Sequence, residues 1–457
     1  MKKGWIVPVA LGAAIVGGVV TYAGLMIANP EVAKFQSALG KLETRYVEPV
    51  ERSTLVDGAI AGMMEALQDP YSSYMDQEAS QSFYENISSS FEGIGAQVEE
   101  RDGAIVIVAP IQGSPAEEAG LKSGDRIVRV GEMSVEGMDV MEAVQLIRGE
   151  KGTTVELTIV RGGESAETTL KIVRDTIPLM TVYDELIEDK IGHIRISHMS
   201  ETTADEFKET VQSLLDQGME QAVLDLRQNP GGLLDVTVQL AGMMLPDGET
   251  VLQVEDRNGN RQIYKAEHED IGLGDMPIVV LIDKGSASAS EILAGALQEA
   301  ADVKLIGERT FGKGTVQTTE GLGDGSSMKY TIAKWLTPDG NWIHEQGITP
   351  TTEVSLPAYA ELPWLDPETE WSEGRKAPEV SALQRMLEAL GYSPGSTDGD
   401  FDAQTKAAVV RFQEDEGLEP SGIVSGETTR ALIDALRLLI EENDTQLKAA
   451  IEAVKRQ

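Results

Sequence analysis

The sequence predicts a multidomain α/β protein, and three observations carry that expectation. From about Pro178 to Leu356, apolar strand-like runs alternate with helical stretches of similar length. Ahead of that region, from Phe91, short β-like runs are separated by glycine turns. On both sides lie segments with apolar residues at helical spacing. At 457 residues the chain has room for two to four domains.

The N-terminus comes first. Lys2 and Lys3 are followed by no charged residue until Glu31. The run "WIVPVALGAAIVGGVVTYAGLMIA" (Trp5–Ala28) is long enough to span the ~30 Å hydrocarbon layer as a helix. The flanking lysines keep the short N-terminal end in the cytoplasm, which puts everything after residue 30 outside. The expectation for residues 1–30 is an uncleaved, single-pass membrane anchor. A cleaved signal peptide is the alternative and would leave the protein secreted or associated with the cell wall.

Composition narrows the chemistry. No cysteine is present, which excludes disulfides, thiolate metal sites and a cysteine nucleophile. The four histidines (His193, His198, His268, His344) show no metal-binding spacing, so no metal is expected. Net charge is −38, against a phosphate-binding face and so against nucleic acid as a partner. It reads as a solvated surface suited to a salty or alkaline medium.

Residues 31–90 read as helices. Phe35, Ala38, Leu39, Leu42 and Tyr46 share one face, and Ala59, Met63, Met64 and Leu67 form a second stripe. "QDPYSSYMD" (Gln68–Asp76) breaks the pattern. The stripes serve packing, or a homodimer interface outside the main core.

Residues 91–176 change period. "GMDVMEAVQLIRG" (Gly137–Gly149) is helical and "TTVELTIVRGG" (Thr153–Gly163) is a strand and turn. With "SPAEEAGLKSGDRIVRVGEMSV" (Ser114–Val135), and Gly120, Leu121, Gly124, Asp125 and Ile127 in place, this portion resembles a β-rich PDZ domain. The segment Gly93-Ile94-Gly95 is similar to its carboxylate-binding loop. Glycines let backbone N–H groups converge on an anion, and a peptide can add as a strand beside them. Arg148 closes the helix, where a cation is favoured. It is a candidate regulatory switch, because its planar fork can also bridge to the core.

Residues 177–357 form the α/β region. "KIGHIRISHM" (Lys190–Met199), "QAVLDLRQNPGG" (Gln221–Gly232) and "PIVVLID" (Pro277–Asp283) carry strands. "ADEFKETVQSLLDQG" (Ala204–Gly218), "LLDVTVQLAGMML" (Leu233–Leu245) and the stretch to about Ala301 are helices. Two further strands lie in "VKLIGERTFGKGTVQ" (Val303–Gln317). Sites in such sheets form at the C-terminal ends of strands, where the Pro-Gly-Gly turn and "GSASASE" both fall.

Three serines compete there. Ser288 opens an S-x-x-E pattern and so can be a helix N-cap reciprocated by Glu291. A strand-to-helix turn also suits a nucleophile, with unpaired N–H groups at the positive helix end to receive an oxyanion. A serine nucleophile needs a base. Lys313, bracketed by glycines, can serve only when neutral, with its pKa well below the reference of about 10.4. In a strand, Lys313, Thr315 and Gln317 share a face, so the neutral amide of Gln317 can hold the amine.

"GSASASEILAGALQEAADVKLIGERTFGKGTVQ" (Gly285–Gln317) resembles the signature of the carboxyl-terminal processing peptidases, or tail-specific proteases. The resemblance covers roughly residues 35–357. It implies a crotonase- and ClpP-like α/β protease core, with Ser288 as nucleophile, Lys313 as base 25 residues on (313 − 288 = 25) and Gln317 as the orienting glutamine. It assigns oxyanion donors to Gly232, less securely Gly231, and to Ala289. No cofactor is implied.

Residues 358–378 are proline- and acid-rich and read as a linker. Residues 379–440 resemble a small three-helix peptidoglycan-binding domain. "LQRMLEALGY", "DGDFDAQTKAAVVRFQ" and "GLEPSGIVSGETTRAL" carry the likeness, with Asp398, Gly399, Phe401, Thr405, Phe412 and Gln413 in place and Asp402 where glycine is common. Residues 441–457 form a charged helix of no assigned use.

The expected function is an extracytoplasmic serine endopeptidase. It captures free C-termini of protein substrates through the PDZ domain and cleaves upstream, in processing or degradation at the cell envelope. A catalytically silent wall-tethered scaffold is disfavoured by the intact Ser288/Lys313 pair. An acyl-CoA enzyme is disfavoured by the PDZ and wall-binding modules.

Overall fold

A computed structural model of the protein describes residues 30–101, 103–161, 166–188, 190–274 and 276–457. The apolar run Trp5–Ala28 lies outside them. Among the described residues, no helix is long and apolar enough to cross a membrane. The chain divides into two compact units: Met1–Tyr84 with Val316–Ala333, and Glu85–Thr315 with Lys334–Gln457.

The first unit contains the helices Pro30–Arg45 and Arg52–Glu65 and the start of Gln77–Ser88. A three-residue strand, Ser73–Met75, pairs antiparallel with Ser327–Leu336, Tyr74 opposite Met328. Asp69 builds the turn before it, accepting hydrogen bonds from the Tyr71 N–H and the Ser72 hydroxyl. Of the two apolar stripes, only Leu39 and Met64 are buried; Phe35, Leu42, Tyr46, Met63 and Leu67 are exposed. Packing among the described residues therefore accounts for little of either stripe.

In the second unit, the β-rich portion is an antiparallel sheet of Ala96–Arg101, Ala104–Pro110, Arg126–Val130, Thr154–Val160 and Glu167–Val173, with Met133–Ser134 at one side. Helices Pro115–Glu118 and Val140–Ile147 close over a core that includes Ile105, Ile107, Leu121, Ile127 and Leu157. Asp125 is fully buried, and Arg161 donates to both its carboxylate oxygens at 2.7 Å. Its place in the motif is therefore structural. The chain enters and leaves this domain on a two-stranded ribbon, Ser90–Gly93 against Asp175–Pro178, with Gly93 opposite Asp175.

The α/β region holds a six-stranded sheet in which spatial order follows chain order: Val182–Ile187, Ile191–Ile196, Gln221–Asp225, Ile278–Ile282, Lys304–Gly307 and Thr352–Glu353. The first pair is antiparallel and the rest are parallel. Apolar runs such as "IVVLI", buried along Val279–Ile282, suit strands covered on both faces. Helices Thr203–Asp216, Leu234–Gly242 and Ala289–Ala301 supply the connections. The charged C-terminal segment acquires a use here. Helix Thr445–Val454 buries Ala450 and Val454 against Ile191, Val223, Val279, Leu281 and Ile306 of the sheet.

Helices Pro378–Ala389, Ala403–Asp415 and Gly426–Glu442 surround Val380, Leu383, Phe401, Phe412 and Leu432. The segment expected to be a linker instead contributes Leu365 and Trp371 to this core, and Trp371 exchanges both backbone hydrogen bonds with Val424. Asp402 caps the second helix by accepting from the N–H groups of Gln404 and Thr405, a task glycine lacks the side chain to perform. Gln413 is fully buried between Gly422 and Ile423, so its role is internal.

Candidate active site

Strands Gln221–Asp225 and Ile278–Ile282 are parallel neighbours, with Asp225 opposite Leu281. Their C-terminal ends release two turns side by side, and each functional residue follows from how those turns are satisfied.

The serine turn distributes its three hydroxyls unequally. Ser286 is fully buried and donates to the Leu226 carbonyl at 2.7 Å. Ser290 is fully buried and donates to the Asn229 carbonyl at 2.9 Å. Both are tie-bars between the turns. Ser288 alone of the three is partly exposed. It also carries φ 54° and ψ −113°, a conformation that costs a non-glycine residue on the order of 1–3 kcal/mol. The surrounding bonds hold that strain, and the result lifts Ser288 to the head of helix Ala289–Ala301.

Glu291 is the residue whose importance sequence reading underestimated. It was expected only as the partner of an N-cap, and it does accept the Ser288 N–H at 2.8 Å. Its fully buried carboxylate takes three further donors: the Lys313 N–H at 2.8 Å, the Gly312 N–H at 2.7 Å and the Thr310 hydroxyl at 2.6 Å. One side chain thus ties the backbone of Ser288 to the backbone of Lys313. From the other side, Trp335 and Trp342 donate their indole N–H groups to the carbonyls of Lys313 and Gly314. Lys313 is partly buried.

Lys313 stands two residues ahead of the strand Thr315–Gly321, so the argument that it shares a strand face with Gln317 does not hold. Glycines on both sides and the Glu291 tie keep it in the preceding loop. Gln317 is in the strand and donates to the Thr331 hydroxyl at 3.1 Å, which donates in turn to Asp69 at 2.6 Å.

The Pro-Gly-Gly turn treats its two glycine N–H groups differently. The Gly231 N–H is taken by the Asn229 side chain at 2.9 Å. The N–H groups of Gly232 and Ala289 have no partner among the described residues. The geometry therefore favours Gly232 over Gly231. A Cβ on Gly231 would lie 2.8 Å from the Ala289 nitrogen and 3.0 Å from the Ser288 Cβ, so the two turns touch. At Gly232, with φ 148°, a Cβ would sit 1.9 Å from the Met199 carbonyl oxygen, so only glycine fits.

Behind the turn, Asp225 is buried between His193 (3.0 Å) and the fork of Arg227 (2.7 Å). Burial opposes ionisation of Asp225, but the hydrogen bonds from His193 and Arg227 outweigh it and hold the carboxyl at about 2. The other histidines are also held in internal hydrogen bonds: His198 by Ser89 and Ser197, His268 by the Leu245 carbonyl, His344 by the Gly314 N–H.

In the β-rich domain, the carbonyl of Ile94 accepts from Ala116 and that of Gly95 from Ile111 and Ser114, while the Ile94 and Gly95 N–H groups have no partner among the described residues. Gly93 ends the entry ribbon. Arg148 stands at the C-terminal end of its helix, but the last carbonyls there, Leu146 and Ile147, accept from Arg174. The Arg148 side chain instead forms a 2.7 Å ion pair with Glu85 of helix Gln77–Ser88, its guanidinium 4.9 Å from the Phe91 ring centre.

Comparison with known proteins agrees with this layout. Residues 190–354 match peptidase family S41, 93–172 a PDZ domain, 376–432 a putative peptidoglycan binding domain, and 17–79 the N-terminal domain of the activating protease CtpB. The carboxy-terminal processing protease CtpA of Bacillus subtilis (strain 168) is 47% identical over 424 residues, 93% of this chain and 90% of that protein. The protease CtpB of the same organism is 38% identical over 473 residues, 98% of each. A probable CtpA-like serine protease of Staphylococcus haemolyticus is 36% identical, across 93% of this chain and 85% of that one. With a PDZ domain, an S41 core and a peptidoglycan-binding domain in that order, and relatives matched over nearly their whole length, the chain belongs to the carboxy-terminal processing serine proteases.

Proposed function

We propose that this protease works through a Ser288/Lys313 dyad outside the cytoplasm, on protein substrates whose free C-termini are captured by the PDZ loop at Ile94 and Gly95, Gly93 preceding it. The observation that carries the reading is the shared Glu291 carboxylate, which fixes the partly exposed Ser288 and the Lys313 loop to one point. Neutral Lys313 takes the hydroxyl proton as Ser288 attacks the carbonyl, with Gln317 orienting the amine. The oxyanion is received by the N–H groups of Gly232 and Ala289. Lys313 then protonates the leaving amine, and water releases the acyl group. Trp5–Ala28 anchors the chain in the cell membrane, or is cleaved as a signal peptide to leave it associated with the wall. The C-terminal module holds it to peptidoglycan. The exposed apolar faces of the N-terminal helices are the surface for a homodimer.

Cleavage of an unstructured protein with an accessible C-terminal tail, followed by mass spectrometry, tests this. Ser288→Ala and Lys313→Ala each abolish cleavage, and the double variant is no worse than either single, because members of one catalytic unit do not add. Ser286→Ala keeps more activity than Ser288→Ala; the reverse order would refute the assignment. Activity rises with pH as Lys313 loses its proton, and a flat profile from about pH 5 to 10 excludes a lysine base.

A further inference from the structure

We infer that Arg227 and Asp444 form a clamp through which the C-terminal helix positions the oxyanion turn, an inference that rests on the acyl-transfer reading above. Arg227 is the fifth residue before Gly232 and leaves the end of the strand Gln221–Asp225. Its Nε and Nη2 are committed to Asp225, at 2.9 and 2.7 Å. Its Nη1 crosses to the C-terminal helix, 2.8 Å from Asp444 Oδ2 and 3.1 Å from Gln446 Oε1. Arg227 and Asp444 expose only 14% and 15% of their side chains, and Gln446 is fully buried. Little solvent screens this pair, so it differs from the exposed surface ion pairs of the molecule, which contribute little. Breaking one side of such a pair leaves the other charge buried and uncompensated.

The bonds run onward into the site. Gln446 donates to the Val354 carbonyl, and Thr445 to that of Ser355, which fixes the helix start beside the sheet. Beyond Arg227, Gln228 is held by Asp283 through both its backbone and its side-chain amide, and Asn229 orders Gly231. Every residue from Asp225 to Asn229 is thereby tied to a neighbouring element by its side chain or backbone, and Arg227 is the tie to the C-terminal helix. Asp444 caps that helix by accepting the Leu447 N–H at 2.8 Å, and only Asn443 and Asp444 separate it from the last helix of the peptidoglycan-binding domain. Arg227 and Asp444 are positioning residues: they act through the turn that presents Gly232.

The test uses the full-length protein and a peptide boronate, which adds to a serine hydroxyl and presents a tetrahedral oxygen to the oxyanion donors. Asp444→Asn keeps a capping side chain but removes the charge facing Arg227. It lowers kcat about tenfold and weakens boronate binding by a similar factor, with KM for the peptide substrate unchanged, since only interactions made in the transition state are lost. Arg227→Met shows the same split, and the Arg227→Met/Asp444→Asn double variant is no worse than Arg227→Met. Lys455→Ala, which removes the exposed ion pair of the same helix with Glu188, keeps wild-type kcat. If Asp444→Asn stays within twofold of wild type in kcat and boronate affinity, or changes KM alone, the clamp is wrong. If Ser288→Ala binds the boronate as tightly as wild type, the acyl-transfer reading itself has failed, whatever Asp444→Asn does.

Discussion

Asp225 shows how much one buried side chain can carry. Its folded value of about 2 lies below the ordinary 3.8, so the ionised form is preferred in the native state. The stabilisation is therefore fully present above pH ~4 and is lost as pH falls from ~4 towards ~2. It amounts to roughly 2 kcal/mol at neutral pH, at 1.36 kcal/mol per pKa unit. The thermal midpoint of the wild type should fall through that window, while Asp225→Asn should be less stable at neutral pH and change less across it. An unchanged wild-type midpoint from pH 5 to 2 would remove Asp225 from the account. At this scale the sequence was only partly readable. Local pattern placed Ser288 at a helix start but did not separate nucleophile from cap, and the resemblance made the choice. The structural reason is burial: Ser286 and Ser290 spend their protons on the Leu226 and Asn229 carbonyls of a turn distant in sequence. Glu291 was legible only as a cap, because three of its four donors arrive from residues 310–313.

Elements with strong periodicity were read well. The amphipathic helix expected over 204–218 is Thr203–Asp216, and the helix expected to about Ala301 ends there. The antiparallel hairpin Thr250–Asp256 with Arg261–Lys265 is legible only at its turn, where "DRNGN" (Asp256–Asn260) is turn chemistry, with Asp256 accepting from the Asn258 and Asn260 N–H groups. The linker reading of 358–378 failed to foresee Trp371 because proline and acid content reports average solvation, not where one aromatic ring docks. Arg148 belongs to this scale, since it ends one helix and pairs with another. Its ion pair with Glu85 is partly exposed, worth roughly 0–1 kcal/mol, and the Phe91 ring adds about 0.5–1 kcal/mol. Arg148→Ala and Glu85→Gln therefore cost little in thermal midpoint. If Arg148 is a switch, Arg148→Ala loses turnover of tailed proteins at near-normal stability. Turnover that tracks the small stability loss, in both variants, makes it a structural residue and nothing more.

At the scale of the molecule, the order of modules was legible because each carries its own motif. The use of the last helix was not, because its partners are sheet residues more than a hundred positions earlier. The PDZ domain hangs on the ribbon formed by Ser90–Gly93 and Asp175–Pro178, whose ends face each other at Gly93 and Asp175. Residues 94–174 can therefore be replaced by a short turn without separating the ribbon strands. If the domain gates an otherwise complete site, this variant still cleaves short untethered peptides and has lost its preference for tailed proteins. If it is folded by circular dichroism yet dead on both substrates, the domain helps to build the site.

The interval of 25 residues between Ser288 and Lys313 is a surveyor's distance and not the thing that holds the two pegs apart. Glu291 fixes both pegs directly, while the path between them runs through an exposed left-handed turn at Asp302. Slack introduced there never reaches the pegs. A Gly-Ser pair inserted after Asp302 lengthens the interval to ~27 and leaves cleavage within a few-fold of wild type, as surface turns tolerate insertions. Glu291→Gln, which keeps the interval untouched, is the more damaging change. The motif's length is thus a by-product of one helix and one strand.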